Sequence, residues 1–161
     1  MPKFIMTPLV EYSTVYTARL GAGTGAVNNL TDAEVNKFVK LAGDSRYDLC
    51  AVGNEIEGFI AALETATQDG YTIGSVQVDG RAEVTFDGLQ GTPGTGAIAV
   101  GDYVVCGTPA AKGTSLVWPA GPKVCKATAA STGLTHLWRV VSLGSAGTGA
   151  VGTAGLIERV R

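Results

Sequence analysis

The stretch Val76-Gln77-Val78-Asp79-Gly80-Arg81-Ala82-Glu83-Val84-Thr85-Phe86 alternates apolar and polar residues on both sides of an Asp-Gly pair. A period of two puts every second side chain on one face, the signature of a half-buried strand. Asp-Gly between two such runs predicts a β-hairpin, because both turn residues must accept positive φ. Further strands are predicted at 97–100, 102–106, 115–118, 123–127, 137–143 and 155–160. Turn signals such as Gly107-Thr108-Pro109 and Pro119-Ala120-Gly121-Pro122 separate them. Short strands at this spacing predict a small antiparallel β-barrel or sandwich.

Upstream the pattern changes. Residues 55–66 fit either period, and Gly58 together with the Thr65 and Thr67 tail tips the reading towards a strand. Thr31 through Ala42 predicts one short amphipathic helix. Thr31 and Glu34 have capping-box spacing, Val35, Phe38, Val39 and Ala42 share a helical face, and Gly43 supplies a stop. The first 25 residues predict an extended N-terminal arm, with two prolines followed by the strand-forming run Leu9–Thr17 and the breaker Gly21-Ala22-Gly23-Thr24-Gly25. Residues 26–161 are read as a single β-rich domain.

Composition narrows the function. Of 161 residues, 23 are Gly, 21 Ala and 18 Thr, and only 16% are charged, against about 25% in an ordinary domain. A pale surface of small residues suits contact with other subunits, although an ordinary β-domain can also carry one. The net charge is −2 with no basic cluster, which argues against nucleic acid as a partner. No apolar run is long enough to span a bilayer, and the N-terminus lacks a signal-peptide h-region. Synthesis in a reducing cytoplasm is therefore expected.

The chemistry-bearing residues are sparse. Cys50, Cys106 and Cys125 are odd in number and lack CxxC spacing, which predicts neither a disulfide framework nor a zinc site. The glycine loop 21–25 lacks the strand-to-helix context of a dinucleotide site, and 107–114 places its lysine before the second glycine, unlike a P-loop. Gly144-Ser145-Ala146-Gly147 is one residue short of a hydrolase elbow. The single histidine, His136, would need a nucleophile brought to it by the fold. Asp44, Asp48, Glu55, Glu57 and Glu64 lack the ligand spacing of a calcium loop and are read as solvated carboxylates, with Glu55 and Glu57 sharing the solvent face of a strand. No catalytic, metal or cofactor residue is assigned. Candidate partner contacts are Leu9, Val10, Tyr12, Val15 and Tyr16 in the arm, and Trp118 and Trp138, whose rings could stack on a glycan but better suit a core or an interface. Gly-Thr-Gly-Ala recurs at 23–26, 94–97 and 147–150. Its unequal intervals exclude a solenoid, and the copies are read as flexible loops, two of them inside the glycine-rich stretches 88–96 and 144–155.

Three runs, Gly43-Asp44-Ser45-Arg46-Tyr47-Asp48-Leu49-Cys50, Gly53-Asn54-Glu55-Ile56-Glu57-Gly58-Phe59-Ile60 and Ala66-Thr67-Gln68-Asp69-Gly70-Tyr71-Thr72-Ile73-Gly74, resemble small structural proteins of tailed bacteriophages. Val100-Gly101-Asp102-Tyr103-Val104-Val105 and the closing Leu156-Ile157-Glu158-Arg159-Val160 resemble β-barrel decoration, or cement, proteins of phage heads. The resemblance implies a non-enzymatic virion protein that binds the outside of a capsid as a homotrimer and clamps neighbouring major capsid proteins. An accessory protein binding a host receptor or glycan is the second reading, and a small hydrolase built on His136 the third.

Overall fold

On one side of residues 72–77 lie Thr72, Gly74 and Val76, all buried, and a wall of this kind closes on itself. The computed structural model describes residues 14–21, 30–43, 46–65, 71–116, 121–128 and 137–160. Its strands are β1 (Val15–Leu20), β2 (Phe38–Leu41), β3 (Arg46–Leu49), β4 (Gly58–Glu64), β5 (Thr72–Gln77), β6 (Arg81–Leu89), β7 (Thr92–Pro93), β8 (Tyr103–Cys106), β9 (Lys123–Lys126), β10 (Trp138–Ser142) and β11 (Ala154–Arg159). They form two closed barrels where the sequence suggested one. The first runs β1-β3-β2-β4-β5 and closes through β1–β5. The second runs β6-β9-β8-β10-β11 and closes through β11–β6, with β7 appended to β6.

The two barrels are one design used twice. Each has a single parallel pair, β1–β3 or β6–β9, and every other ring pairing is antiparallel. The registers correspond as well. Val76 lies opposite Ile60 and Tyr16, as Ile157 lies opposite Val140 and Ala82. The register slips just after Ile60 in one barrel and just after Val140 in the other. Gly74 and Gly155 occupy the same station. A Cβ there would strike the Ala62 carbonyl and Leu20 in the first barrel, or the Ser142 carbonyl and Phe86 in the second, so a large core side chain sits over bare backbone each time. The apolar pairs Leu20/Phe86, Val39/Val104, Ile60/Val140 and Val76/Ile157 fill the two interiors.

Asp79-Gly80 does not close a hairpin. Val76 and its neighbours pair within the first barrel and Arg81–Leu89 within the second, so Asp-Gly carries the chain between barrels. Gly80 does take positive φ, at 92°. Closure of each barrel uses up the edges that a local hairpin would have needed.

The expected helix over 31–42 is also corrected. Its capping signal is real, since the Thr31 backbone N–H and hydroxyl both donate to Glu34 Oε2, at 2.6 and 2.8 Å. Only a single 3₁₀ turn follows, Asp32–Glu34. Val35 is extended and Asn36 is left-handed at φ 69°, so the helix cannot propagate. Phe38–Leu41 is then a strand whose side chains alternate between the junction core and the first barrel's interior, with Phe38 in the former and Val39 in the latter. Of the expected strands, 55–66 and four of the six downstream are present. Residues 97–100 form a bridge and a turn; of 115–118, Ser115 and Leu116 carry no strand and residues 117–118 lie outside the described residues. Val15–Leu20, within the expected arm, is a barrel strand, and residues 1–13 lie outside the described residues.

The first barrel packs against the end of the second where β8 and β11 finish and β10 begins. Trp138 Nε1 donates to the Ile56 carbonyl at 3.0 Å, and Phe59 meets the Trp138 ring edge-on, centroids 6.5 Å apart. Gly53 N–H donates to the Cys106 carbonyl and Cys106 N–H to the Asn54 carbonyl. Arg159 Nη1 reaches the carbonyls of Glu57 and Val78. Phe38, Cys50 and Ile56 from the first barrel therefore share a core with Phe86, Trp138 and Ile157 from the second.

Candidate interaction surface

The far end of the second barrel is built by the β6–β8 and β10–β11 connections. Residues 88–101 contain no charged residue, and neither do residues 140–157. The fold brings these two stretches together. Ala97 and Ala150 form an antiparallel bridge, and Ile98 N–H donates to the Gly149 carbonyl at 2.9 Å. Gly152 N–H donates to the Phe86 carbonyl, Phe86 N–H to the Thr153 carbonyl, and Gly101 N–H to the Val140 carbonyl. Two copies of Gly-Thr-Gly-Ala, 94–97 and 147–150, thus bind each other through backbone. The two expected loops are hydrogen-bonded to each other, and Gly149 is buried against Ile98.

The outer side of this end is apolar and neutral. Leu89, Val100 and Val151 are exposed, Val100 to 60%. Thr92–Ala97 and Gly144–Thr148 are exposed around them. Among the described residues charge enters at the border, where Lys126 Nζ meets Asp102 Oδ1 at 2.9 Å. A soluble surface ordinarily carries both charge signs interspersed, at about 25–35% of its residues. The centres of protein interfaces, by contrast, are depleted in charge.

Other predicted residues fall elsewhere. Val15 and Tyr16 are exposed on β1, at 48% and 54%. Trp138 is wholly buried and anchors the core, which decides between its two readings. Leu9, Val10, Tyr12, Trp118 and His136 lie outside the described residues. Glu55 and Glu57 precede β4, so they do not share a strand face as expected, and Glu57 Oε2 accepts the Leu41 N–H at 2.6 Å. Asp48 pairs with Arg46 at 3.4 Å. Among the described residues no group of three or more His, Cys, Asp or Glu could hold a metal ion. No described helix is long and apolar enough to cross a membrane.

Two buried carboxylates tie loops to walls. Burial pushes the Glu34 carboxyl up. The N–H groups of Gly113 and Thr31, the Thr31 hydroxyl and the Lys37 charge outweigh it and hold the pKa below the ordinary value. Lys37, itself buried, donates to the Ala111 carbonyl at 2.8 Å, so Glu34 and Lys37 fasten the 107–116 loop to the first barrel. Asp87 follows the same pattern. Burial raises it, but Thr108 and Lys123 outweigh that and hold it below the ordinary value.

Between the barrels lies a cavity of about 210 Å³, lined among others by Phe38, Leu49, Cys50, Cys106, Leu116 and Pro122. Cys50, Cys106 and Cys125 are free and buried. Comparison with known proteins finds no matching family model, no matching curated protein and no matching solved structure.

Proposed function

We propose that this chain is a structural, non-enzymatic virion protein that coats and stabilises a bacteriophage capsid, made in the host cytoplasm and carried on the capsid surface as a homotrimer. The neutral end of the second barrel, where residues 88–101 and 140–157 meet, carries this reading. In this reading that end seats on neighbouring copies of the major capsid protein. Such a surface loses little hydration on being covered, because it has no charge to desolvate. Two barrels locked by a shared core make a stiff body, and repetition of one modest contact over a shell sums through multivalency. The resemblance of the 43–74, 100–105 and 156–160 runs to head decoration proteins supports the same reading. The glycan-binding alternative loses one of its two stacking candidates, since the Trp138 ring is sealed in the core.

Mixing the purified protein with shells that lack it, then sedimenting, tests the proposal. Stoichiometric co-sedimentation and added heat resistance are expected. The double variant V100E/V151E should fold as the parent does, because both side chains are exposed, and should lose shell binding. Removing residues 1–13, which leaves β1 whole, tests whether the N-terminal segment also contributes. Absence of binding to any shell, or full binding by V100E/V151E, would overturn the assignment.

A further inference from the structure

Cys50 follows β3 in the first barrel and Cys106 ends β8 in the second, and both line the inter-barrel cavity. The backbone holds them close. Residues 50–55 curl over the end of β8, with Ala51 N–H donating to Asn54 Oδ1 and residues 53 and 54 bonded to the backbone of Cys106. Both belong to one buried apolar cluster with Phe38 and Ile56. Cys50 donates to the Glu55 carbonyl at 3.5 Å and Cys106 to the Gly107 carbonyl at 3.4 Å. Cys125 lies on β9, paired with β8, and directs its thiol at Asp87. The lysines of the cavity wall are already paired, Lys37 with Glu34 and Lys123 with Asp87. The lining is otherwise largely aliphatic, so the cavity suits a small neutral reagent better than a charged one.

We infer that Cys50 and Cys106 are a covalent modification site: a dithiol that a small uncharged aliphatic disulfide, entering the cavity, converts to a disulfide joining the two barrels. One protein thiol gives its proton to solvent and its sulfur attacks the reagent, forming a mixed disulfide and releasing one thiolate, which takes a proton. The second protein sulfur, likewise deprotonated, displaces the remaining half of the reagent. Two electrons pass from the protein thiols to the reagent, which leaves as two thiols. The neighbouring Cys106 side chain, then burial, keep the Cys50 thiol far above its ordinary pKa. Exchange needs a thiolate, so closure speeds up as pH rises, by about tenfold per pH unit while thiolate is scarce.

The test treats the native full chain with hydroxyethyl disulfide at pH 7, 8 and 9. Thiols are then counted in denaturant and the intact mass is measured. The count should fall from three to one and the mass by two hydrogens. A tryptic digest should join residues 47–81 to residues 82–112, leaving Cys125 free on residues 124–126. Cys125→Ser should close as the parent does, and Cys50→Ser should not. The closed form should unfold at higher urea, because the link constrains the unfolded chain from 50 to 106. Pairing through Cys125, two separate reagent adducts without closure, or loss of two hydrogens by Cys50→Ser would each overturn the inference. So would a native chain that keeps three thiols at pH 9 while its urea-unfolded form oxidises.

Discussion

Gly149→Ala should be among the most damaging single methyl additions to this chain, while Gly147→Ala, two residues away in the same tetrapeptide, should be mild. A Cβ on Gly149 would sit 1.7 Å from the Ile98 carbonyl oxygen, 2.6 Å from its carbon and 3.0 Å from its nitrogen. All three are backbone atoms, so no side chain can swing away. Relief requires moving the 147–150 segment off residues 97–98, which breaks the 2.9 Å bond from Ile98 N–H to the Gly149 carbonyl and the Ala97–Ala150 bridge. Overpacking costs about 1–3 kcal/mol, and leaving a buried backbone group unsatisfied costs about 1–3 kcal/mol more. Together they give about 2–6 kcal/mol, a large part of a typical domain's stability. Gly147 has open space at its Cβ position and φ of 63°. Alanine there suffers only the left-handed backbone penalty, about 1–2 kcal/mol. In urea unfolding the Gly149 variant should shift its midpoint by roughly 2 M and the Gly147 variant by under about 1 M, for a slope near 2 kcal/mol/M. Equal shifts, or a Gly149 variant within about 1 kcal/mol of the parent, would refute the pairing of these two loops.

Trp138→Phe removes the donor to the Ile56 carbonyl and part of the ring that Phe59 packs against. It should cost about 2–4 kcal/mol by urea unfolding. Asn36 occupies the station that Gly101 holds in the second barrel, and both have positive φ. Asn36→Gly should therefore be neutral within about 0.5 kcal/mol and Asn36→Ala should cost about 1 kcal/mol, read in the same assay. Glu34 has a folded pKa below its ordinary 4.5, so its carboxylate contributes stability that is full above that value and lost as pH falls through the folded pKa. The parent should exceed Glu34→Gln in thermal midpoint at pH 7, and the gap should narrow below pH 4.5; a gap independent of pH would remove the charge from the account.

Strands were legible where a barrel wall has one wet and one dry face, as at 72–77 and 138–142, because the alternation records the two environments directly. The helix expected over 31–42 failed for a physical reason. A capping box certifies only the first turn, and here the same Glu34 that caps it is buried and bonded to the 107–116 loop, a contact 79 residues away. Apolar spacing at 35, 38, 39 and 42 fitted a helical face, yet Phe38 and Val39 serve two different cores on opposite sides of one strand. The hairpin at Asp79-Gly80 failed similarly. The turn chemistry was sound, but which edges the flanking strands pair with is decided by closure of each barrel.

The tandem repeat escaped a search for periods because it has no single period. Leu20 and Phe86 are 66 residues apart, Val39 and Val104 are 65, Tyr47 and Val124 are 77, Ile60 and Val140 are 80, and Val76 and Ile157 are 81. Insertions in the connections shift each strand pair by a different amount, while register inside the ring holds, because a one-residue slip would turn a wall inside out. The equivalent core residues share only apolar character, which many sequences satisfy. Of the three Gly-Thr-Gly-Ala copies, 23–26 lies outside the described residues, while 94–97 and 147–150 belong to one barrel and mark two segments that must approach closely enough to bond through backbone. Recurrence of small residues was thus a signal of contact between loops, and the same smallness, with no charge among the 14 residues of 88–101, leaves that end of the molecule suited to being covered.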